Sequence, residues 1–128
     1  MTVGYVDTSC LIAVAFGEPG TKSLARRLEA YDELASSNLL EAELRSALKR
    51  EGVEGGGEFL GGLSWVLPDR RLTAEIDRVL AVHYLRGADL WHVATALYLA
   101  ESPADLDFLT LDSAQREAAA ALGFPTPV

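Results

Sequence analysis

Short strand-like runs that alternate with longer helical patterns limit this chain more than any other feature. The runs are Val3–Val6, Leu34–Ser37, Trp65–Leu67 and Asp107–Thr110. Val3–Val6 is β-branched and aromatic, as a buried strand is. Successive parallel strands need a crossover, and here the crossovers are helical. The pattern predicts an α/β fold: a three-layer α/β/α sandwich around a short central parallel sheet. A proline-bearing stretch, Phe124–Val128, reads as a last edge strand. With 128 residues, no internal repeat and no linker, the chain is expected to form one domain over 1–128.

The helical patterns carry local signals. Leu11–Phe16 is too apolar to be exposed, and Gly17-Glu18-Pro19-Gly20 ends it. Thr21 can cap a helix to about Ala30, with Leu24 and Leu28 inward and Arg26 and Arg27 outward. Asn38 stands as the next N-cap, with Glu41 at the capping-box position, and that helix runs to about Arg50. Leu40, Leu44, Ala47 and Leu48 form its apolar face. Glu41 lies at the edge, where it can pair with Arg45, but Glu43 projects into the apolar face. The six glycines of Glu51–Gly62 argue for a loop or a weak, interrupted helix. Leu72–Leu85 is amphipathic, with Leu72, Ile76, Val79, Leu80 and His83 on one side, until Arg86-Gly87-Ala88 breaks it. Asp89 then opens a helix that is apolar nearly all round, as a buried helix is. Asp112, with Gln115 three residues on, starts an alanine-rich helix that stops at Gly123.

Four carboxylates stand at element ends or on inward faces: Asp7, Glu43, Asp89 and Asp112. Each has an ordinary explanation alone. Asp7 suits a turn after a strand, Asp89 and Asp112 suit N-caps, and Glu43 could bond a buried arginine. Together they point elsewhere. Open parallel sheets bring the carboxyl ends of their strands to one edge, and ligands bind there. Two bare carboxylates at ~4 Å repel by ~4 kcal/mol at an effective dielectric of 20. A divalent cation relieves that, and an all-oxygen donor set suits Mg²⁺ or Mn²⁺.

The net charge of -8 opposes simple attraction to a phosphate backbone. A nucleic-acid enzyme of this composition must gather its acids at a metal site. Arg26, Arg27, Arg45, Lys49, Arg50 and Arg86 are then the cations that could steer a backbone. The single cysteine, Cys10, excludes a disulfide within the chain and suits a reducing compartment. No apolar run is long enough to span a bilayer, and the first residues enter a strand without a leader pattern. The expectation is a soluble cytoplasmic protein that has no membrane contact.

Val6-Asp7-Thr8-Ser9, Glu43-Leu44-Arg45-Ser46-Ala47, Arg86-Gly87-Ala88-Asp89-Leu90-Trp91-His92-Val93-Ala94-Thr95-Ala96 and Leu109-Thr110-Leu111-Asp112 resemble the PIN domain, segment by segment and in order. The size and the Gly-Phe-Pro ending are similar to VapC-type toxins of bacterial toxin–antitoxin pairs. The resemblance implies a PIN-like fold and a Mg²⁺-dependent endoribonuclease that leaves a 5′-phosphate and a 3′-hydroxyl. It implies Asp7 and Asp89 as the main metal ligands, with Glu43 and Asp112 completing the pocket. Ser9 and Thr110 become its polar neighbours. Asp107 rivals Asp112, but the family's last acid follows threonine by two positions, as Asp112 does. RNA is the implied substrate, an antitoxin protein and a second copy of the chain the implied partners. The glycine-rich Gly52–Gly62 departs from the helix the family pattern leads one to expect.

His83 and His92 read as packed, hydrogen-bonded histidines, although Asp89 and His92 at i, i+3 could form a metal pair. Trp65 and Trp91 read as core or dimer contacts, and Tyr5, Tyr98 and Cys10 as packing. A nucleophilic-aspartate phosphotransferase drops out because Ser9 stands where its second aspartate belongs. A phosphoacceptor receiver drops out because the only lysines are Lys22 and Lys49. Two alternatives remain beside the toxin: a catalytically silent acidic-pocket binding module, and a PIN nuclease of RNA processing.

Overall fold

The computed structural model describes residues 1–128. Four strands, β1 (Val3–Val6), β2 (Glu33–Ser37), β3 (Leu63–Val66) and β4 (Asp107–Leu109), form one sheet in the order β3-β2-β1-β4. All three pairings are parallel. The helices are α1 (Thr8–Ala15), α2 (Thr21–Glu29), α3 (Leu39–Glu51), α4 (Thr73–Val82), α5 (Gly87–Leu99) and α6 (Ser113–Ala121). The predicted three-layer α/β/α arrangement with a short central parallel sheet is the observed one.

Side-chain alternation along the strands builds the layers. Tyr5 pairs in register with Phe108, and Val6 with Leu109. Tyr5 and Phe108 point into a core with Val79, Val93, Ala96 and Ala118, from α4, α5 and α6. Their rings stack at 5.4 Å. Val6 and Leu109 point the other way, onto Leu11, Leu24, Leu40 and Leu44, from α1, α2 and α3. Gly4 lets these layers close in: a Cβ there would lie 2.9 Å from Leu109 Cδ1 and 3.2 Å from Leu34 Cδ2. The chain leaves β1 on one side through β2 and β3, then returns on its other side as β4. The order therefore reverses at β1, and a crevice opens beyond the carboxyl ends of β1 and β4.

Several local expectations are corrected. Helix α1 starts at Thr8, three residues before Leu11, because the strand ends directly into it. Thr21 is the first residue of α2, and Gly20 with φ +82° is its cap. Asn38 makes no capping bond; Ser37 Oγ accepts from the Leu39 N–H at 2.9 Å instead. The strand placed at Trp65–Leu67 begins two residues earlier, ends at Val66 and leaves Leu67 exposed. Helix α4 ends at Val82, so Leu80 stays exposed and His83 sits in extended backbone. Gly87 opens α5 rather than breaking a helix, which moves Asp89 into its first turn. Phe124–Val128 forms no strand. Pro125 and Pro127 lack the N–H groups a ladder needs. The tail is held by the Phe108 N–H on the Pro125 carbonyl and by Arg27 on the Pro127 carbonyl.

The glycine-rich stretch holds one 3₁₀ turn, Gly56–Leu60, packed on α3. A Cβ on Gly56 would stand 2.4 Å from Leu48 Cδ1 and 3.2 Å from its Cγ, so the whole leucine head would have to move. Gly56→Ala is expected to cost about 1–3 kcal/mol in urea denaturation, as overpacking does. Gly57→Ala, which meets nothing within 4 Å, should change little.

Candidate functional site

Asp7 follows β1 and is 2 % exposed. It occupies the N-cap position of α1 without capping it, because both its oxygens are taken by hydroxyls. Ser9 Oγ donates to Oδ1 at 2.6 Å and Thr110 Oγ1 donates to Oδ2 at 2.8 Å. Those hydroxyls are themselves held: Ser9 Oγ accepts from the Leu111 N–H, and Thr110 Oγ1 from the Asp112 N–H. The loop after β4 thus grips the end of β1. Burial pushes the Asp7 carboxyl above its ordinary value, and the two hydroxyls pull against that.

Glu43 reaches the same crevice from α3. Its Oε1 accepts from Thr8 Oγ1 at 2.7 Å and meets His92 Nε2 at 2.8 Å, while Oε2 has no protein partner. Burial works to raise its carboxyl, but the bonds from His92 and Thr8 hold it below the usual range. Asp89 comes from the first turn of α5. Burial, then the nearby Asp112 charge, raises its carboxyl. Gln115 Nε2 donates to Asp89 Oδ1 at 3.0 Å, and Asp112 Oδ1 caps α6 by accepting from the Gln115 N–H at 2.8 Å. Asp112 is therefore both an N-cap and a wall of the pocket.

Asp7, Glu43, Asp89 and Asp112 line one cavity of ≈ 180 Å³, together with Thr8, Ser9, Ile12, His92 and Gln115. Thr110 is not part of that lining but bonds Asp7, which is. Asp107 does not line the cavity: it begins β4, at the opposite edge of the sheet, and accepts from the Tyr31 hydroxyl at 2.6 Å. Of the six cations, Arg86 is the one whose charge bears on Asp89. Arg45 and Arg50 are paired to Glu41 and Glu51, and Arg27 holds the tail. His83 is half-buried and bonded to Glu117 and the Tyr84 carbonyl, away from the crevice. Trp91 donates to Ser37 Oγ, and Tyr98 bonds Asp69 under Arg70.

The donor chemistry suits a hard cation. Glu43, Asp89 and Asp112 each keep one carboxylate oxygen without a protein partner. No three acidic or histidine side chains, however, stand close enough together to hold an ion by themselves. One polar group on the cavity wall is also left open. Gln115 is 2 % exposed, and its Oε1 is the one buried side-chain polar atom without a hydrogen-bond partner. An orphan acceptor on a polar cavity wall is what an ordered water would satisfy.

The residues that sequence reasoning missed are Thr8, Gln115 and His92 in its contact with Glu43. His92 turns to Glu43, 49 positions away, rather than to Asp89. Only the i, i+3 spacing of Asp89 and His92 could have hinted that they share a helix face. Gln115 was legible as half of a capping box, but its side chain goes to Asp89 instead of back to Asp112.

An acid-lined crevice at the switch point of a short parallel sheet, walled by helices from both layers, defines a class of α/β/α proteins with a ligand site on the sheet rim. Residues 4–121 match the PIN domain family model. The chain belongs to that family. It is also 33% identical over 127 residues to Ribonuclease VapC46 of Mycobacterium tuberculosis (strain ATCC 25618 / H37Rv), covering 96% of this chain and 95% of that relative.

Burial of Asp7 has a consequence for stability. Below the ordinary aspartate range its carboxyl is neutral in both states and costs nothing. As pH rises, the unfolded chain ionises first, so folding weakens until the native carboxyl ionises as well. Asp7→Asn should therefore raise Tm at pH 7. The gain should shrink towards pH 4, as calorimetry at both pH values would show.

Proposed function

We propose that this protein is a Mg²⁺-dependent endoribonuclease, the toxin of a VapC-type toxin–antitoxin pair acting in the cytoplasm. The observation that carries it is the convergence of Asp7, Glu43, Asp89 and Asp112 on one crevice in a PIN-family chain. The similarity to a protein named as a ribonuclease supports RNA as substrate. Asp7 and Asp89 are assigned as the main metal ligands, Glu43 and Asp112 as completing ligands, with Mn²⁺ able to replace Mg²⁺. When bound, the cation makes water a better nucleophile at neutral pH and offsets charge on the phosphate.

The chain's own groups set the rest. Ser9 and Thr110 keep Asp7 oriented where burial alone would disfavour its charge. Gln115 donates its side-chain amide to Asp89 and its backbone N–H to Asp112, and offers Oε1 to a water in the cavity. In the net reaction water would add to phosphorus in line as the bond to the 3′ oxygen breaks. The attacking water gives up a proton and the leaving 3′ oxygen takes one up, so that a 5′-phosphate and a 3′-hydroxyl result. Arg86 stands where it can meet a backbone phosphate beside Asp89. A cognate antitoxin is proposed as the inhibitor and a second copy of the chain as a partner.

The want of a ready three-residue chelate favours one other reading, a silent module that uses its acidic pocket to hold a basic partner. Cleavage separates the two. Purified protein should cut RNA with Mg²⁺ and stop with chelator. Asp7→Ala and Asp89→Ala should lose at least ~10²-fold in rate while staying folded. Cleavage indifferent to chelator, or a fully active Asp89→Ala, would overturn the metal mechanism. A folded protein that binds Mg²⁺ and cuts no RNA would favour the silent module.

A further inference from the structure

Buried behind the acidic pocket is a run of hydrogen bonds that the cleavage chemistry does not itself require. The Ser37 N–H, at the end of β2, donates to the Tyr5 hydroxyl at 3.2 Å. Tyr5 Oη lies 2.8 Å from His92 Nδ1, and His92 Nε2 lies 2.8 Å from Glu43 Oε1. Tyr5 and His92 are 0% and 1% exposed. The run passes from β2 through β1 and α5 to α3, so four elements meet in it.

Its polarity follows from the partners. An ionised carboxylate only accepts, so Nε2 must carry the hydrogen. In a neutral imidazole Nδ1 is then an acceptor, and Tyr5 O–H donates to it. The Tyr5 oxygen has a lone pair left for the Ser37 N–H. Every donor is used. The opposite tautomer would set a lone pair against Glu43 at 2.8 Å.

The same accounting limits what His92 can do. Both ring nitrogens are engaged, so it has no free lone pair for a metal and none for a reacting proton. It shares Glu43 Oε1 with Thr8, and the pair leave Oε2 as the one oxygen not held by protein. We propose that His92, aligned by Tyr5, is a positioning residue that locks Glu43 so that only Oε2 is presented to a cation in the pocket. This rests on the cation reading given above. Burying a tyrosine and a histidine with polar tips is costly unless every tip is satisfied. An apolar pair would fill the same space, and what it would lack is a grip on Glu43.

The test uses the full chain, titrated with Mn²⁺ by calorimetry and observed by NMR of ¹⁵N-labelled histidine. The wild type should bind Mn²⁺ and carry the His92 hydrogen on Nε2. His92→Phe, which keeps the ring and removes the donor, should weaken Mn²⁺ binding by about 10–100-fold, the usual cost of losing a ligand's supporting partner. Tyr5→Phe should weaken it less, because Glu43 still holds the hydrogen on Nε2, and should add nothing in the His92→Phe background. His92→Gln, whose amide can still donate, should recover part of the loss. If His92→Phe does not fold, Tyr5→Phe and His92→Gln carry the comparison. Wild-type Mn²⁺ affinity in a folded His92→Phe, or hydrogen on Nδ1 in the wild type, would overturn the proposal and leave the cation reading standing. A wild type that binds no Mn²⁺ would overturn both.

Discussion

A carboxylate placed almost out of reach of water is the constraint on which the architecture turns. Asp7 is 2 % exposed at the end of an inner strand, where desolvation works against its charge. The fold answers with two hydroxyls from different ends of the chain, each anchored to the loop after β4. That loop can be there only because β4 pairs with β1 on the side opposite β2. The strand order, the grip on Asp7 and the crevice are one arrangement seen at three scales.

The strands serve two ends at once. Alternation sends Tyr5 and Phe108 to one layer and Val6 and Leu109 to the other. Tyr5 thus stacks in the core and also passes a hydrogen bond towards the site. The acids arrive differently. Asp7 and Asp112 stand at strand-to-helix junctions, Asp89 in a first helical turn, and Glu43 one turn inside a helix. Asp7, Glu43 and Asp89 each borrow a donor from another element, while Asp112 takes the Gln115 N–H of the helix it caps. Where like charges face each other, at Asp89 and Asp112, Gln115 bonds both.

Much of this was legible from residue order, and the exceptions have physical causes. Alternating runs announced the layers, and Glu43 on an apolar helix face announced a carboxylate with business inside. Local capping signals misled at Asn38, because Ser37, one residue earlier, had the oxygen in reach of the Leu39 N–H. Periodicity misled at Leu80, which stays exposed, and at His83, where the helix has ended and the backbone is extended. The tail read as a strand by composition, yet its prolines could not supply the ladder. The place of Asp112 two positions after threonine favours it over Asp107, and the register of β4 on β1 puts the two at opposite ends of the strand.

The amino-acid order by itself determined the periods: which segments are strands or helices, which faces are apolar, and which carboxylates have no local partner. These depend on neighbours within a turn or a pleat, and short-range sterics and burial decide them. Tertiary structure alone decided who meets whom across the chain. His92 found Glu43 rather than Asp89, Thr110 found Asp7, and the Gln115 side chain left its own cap for Asp89. Such pairings depend on strand order and on how helices seat against a twisted sheet. No local signal encodes them, because the partners are tens of residues apart until the layers close.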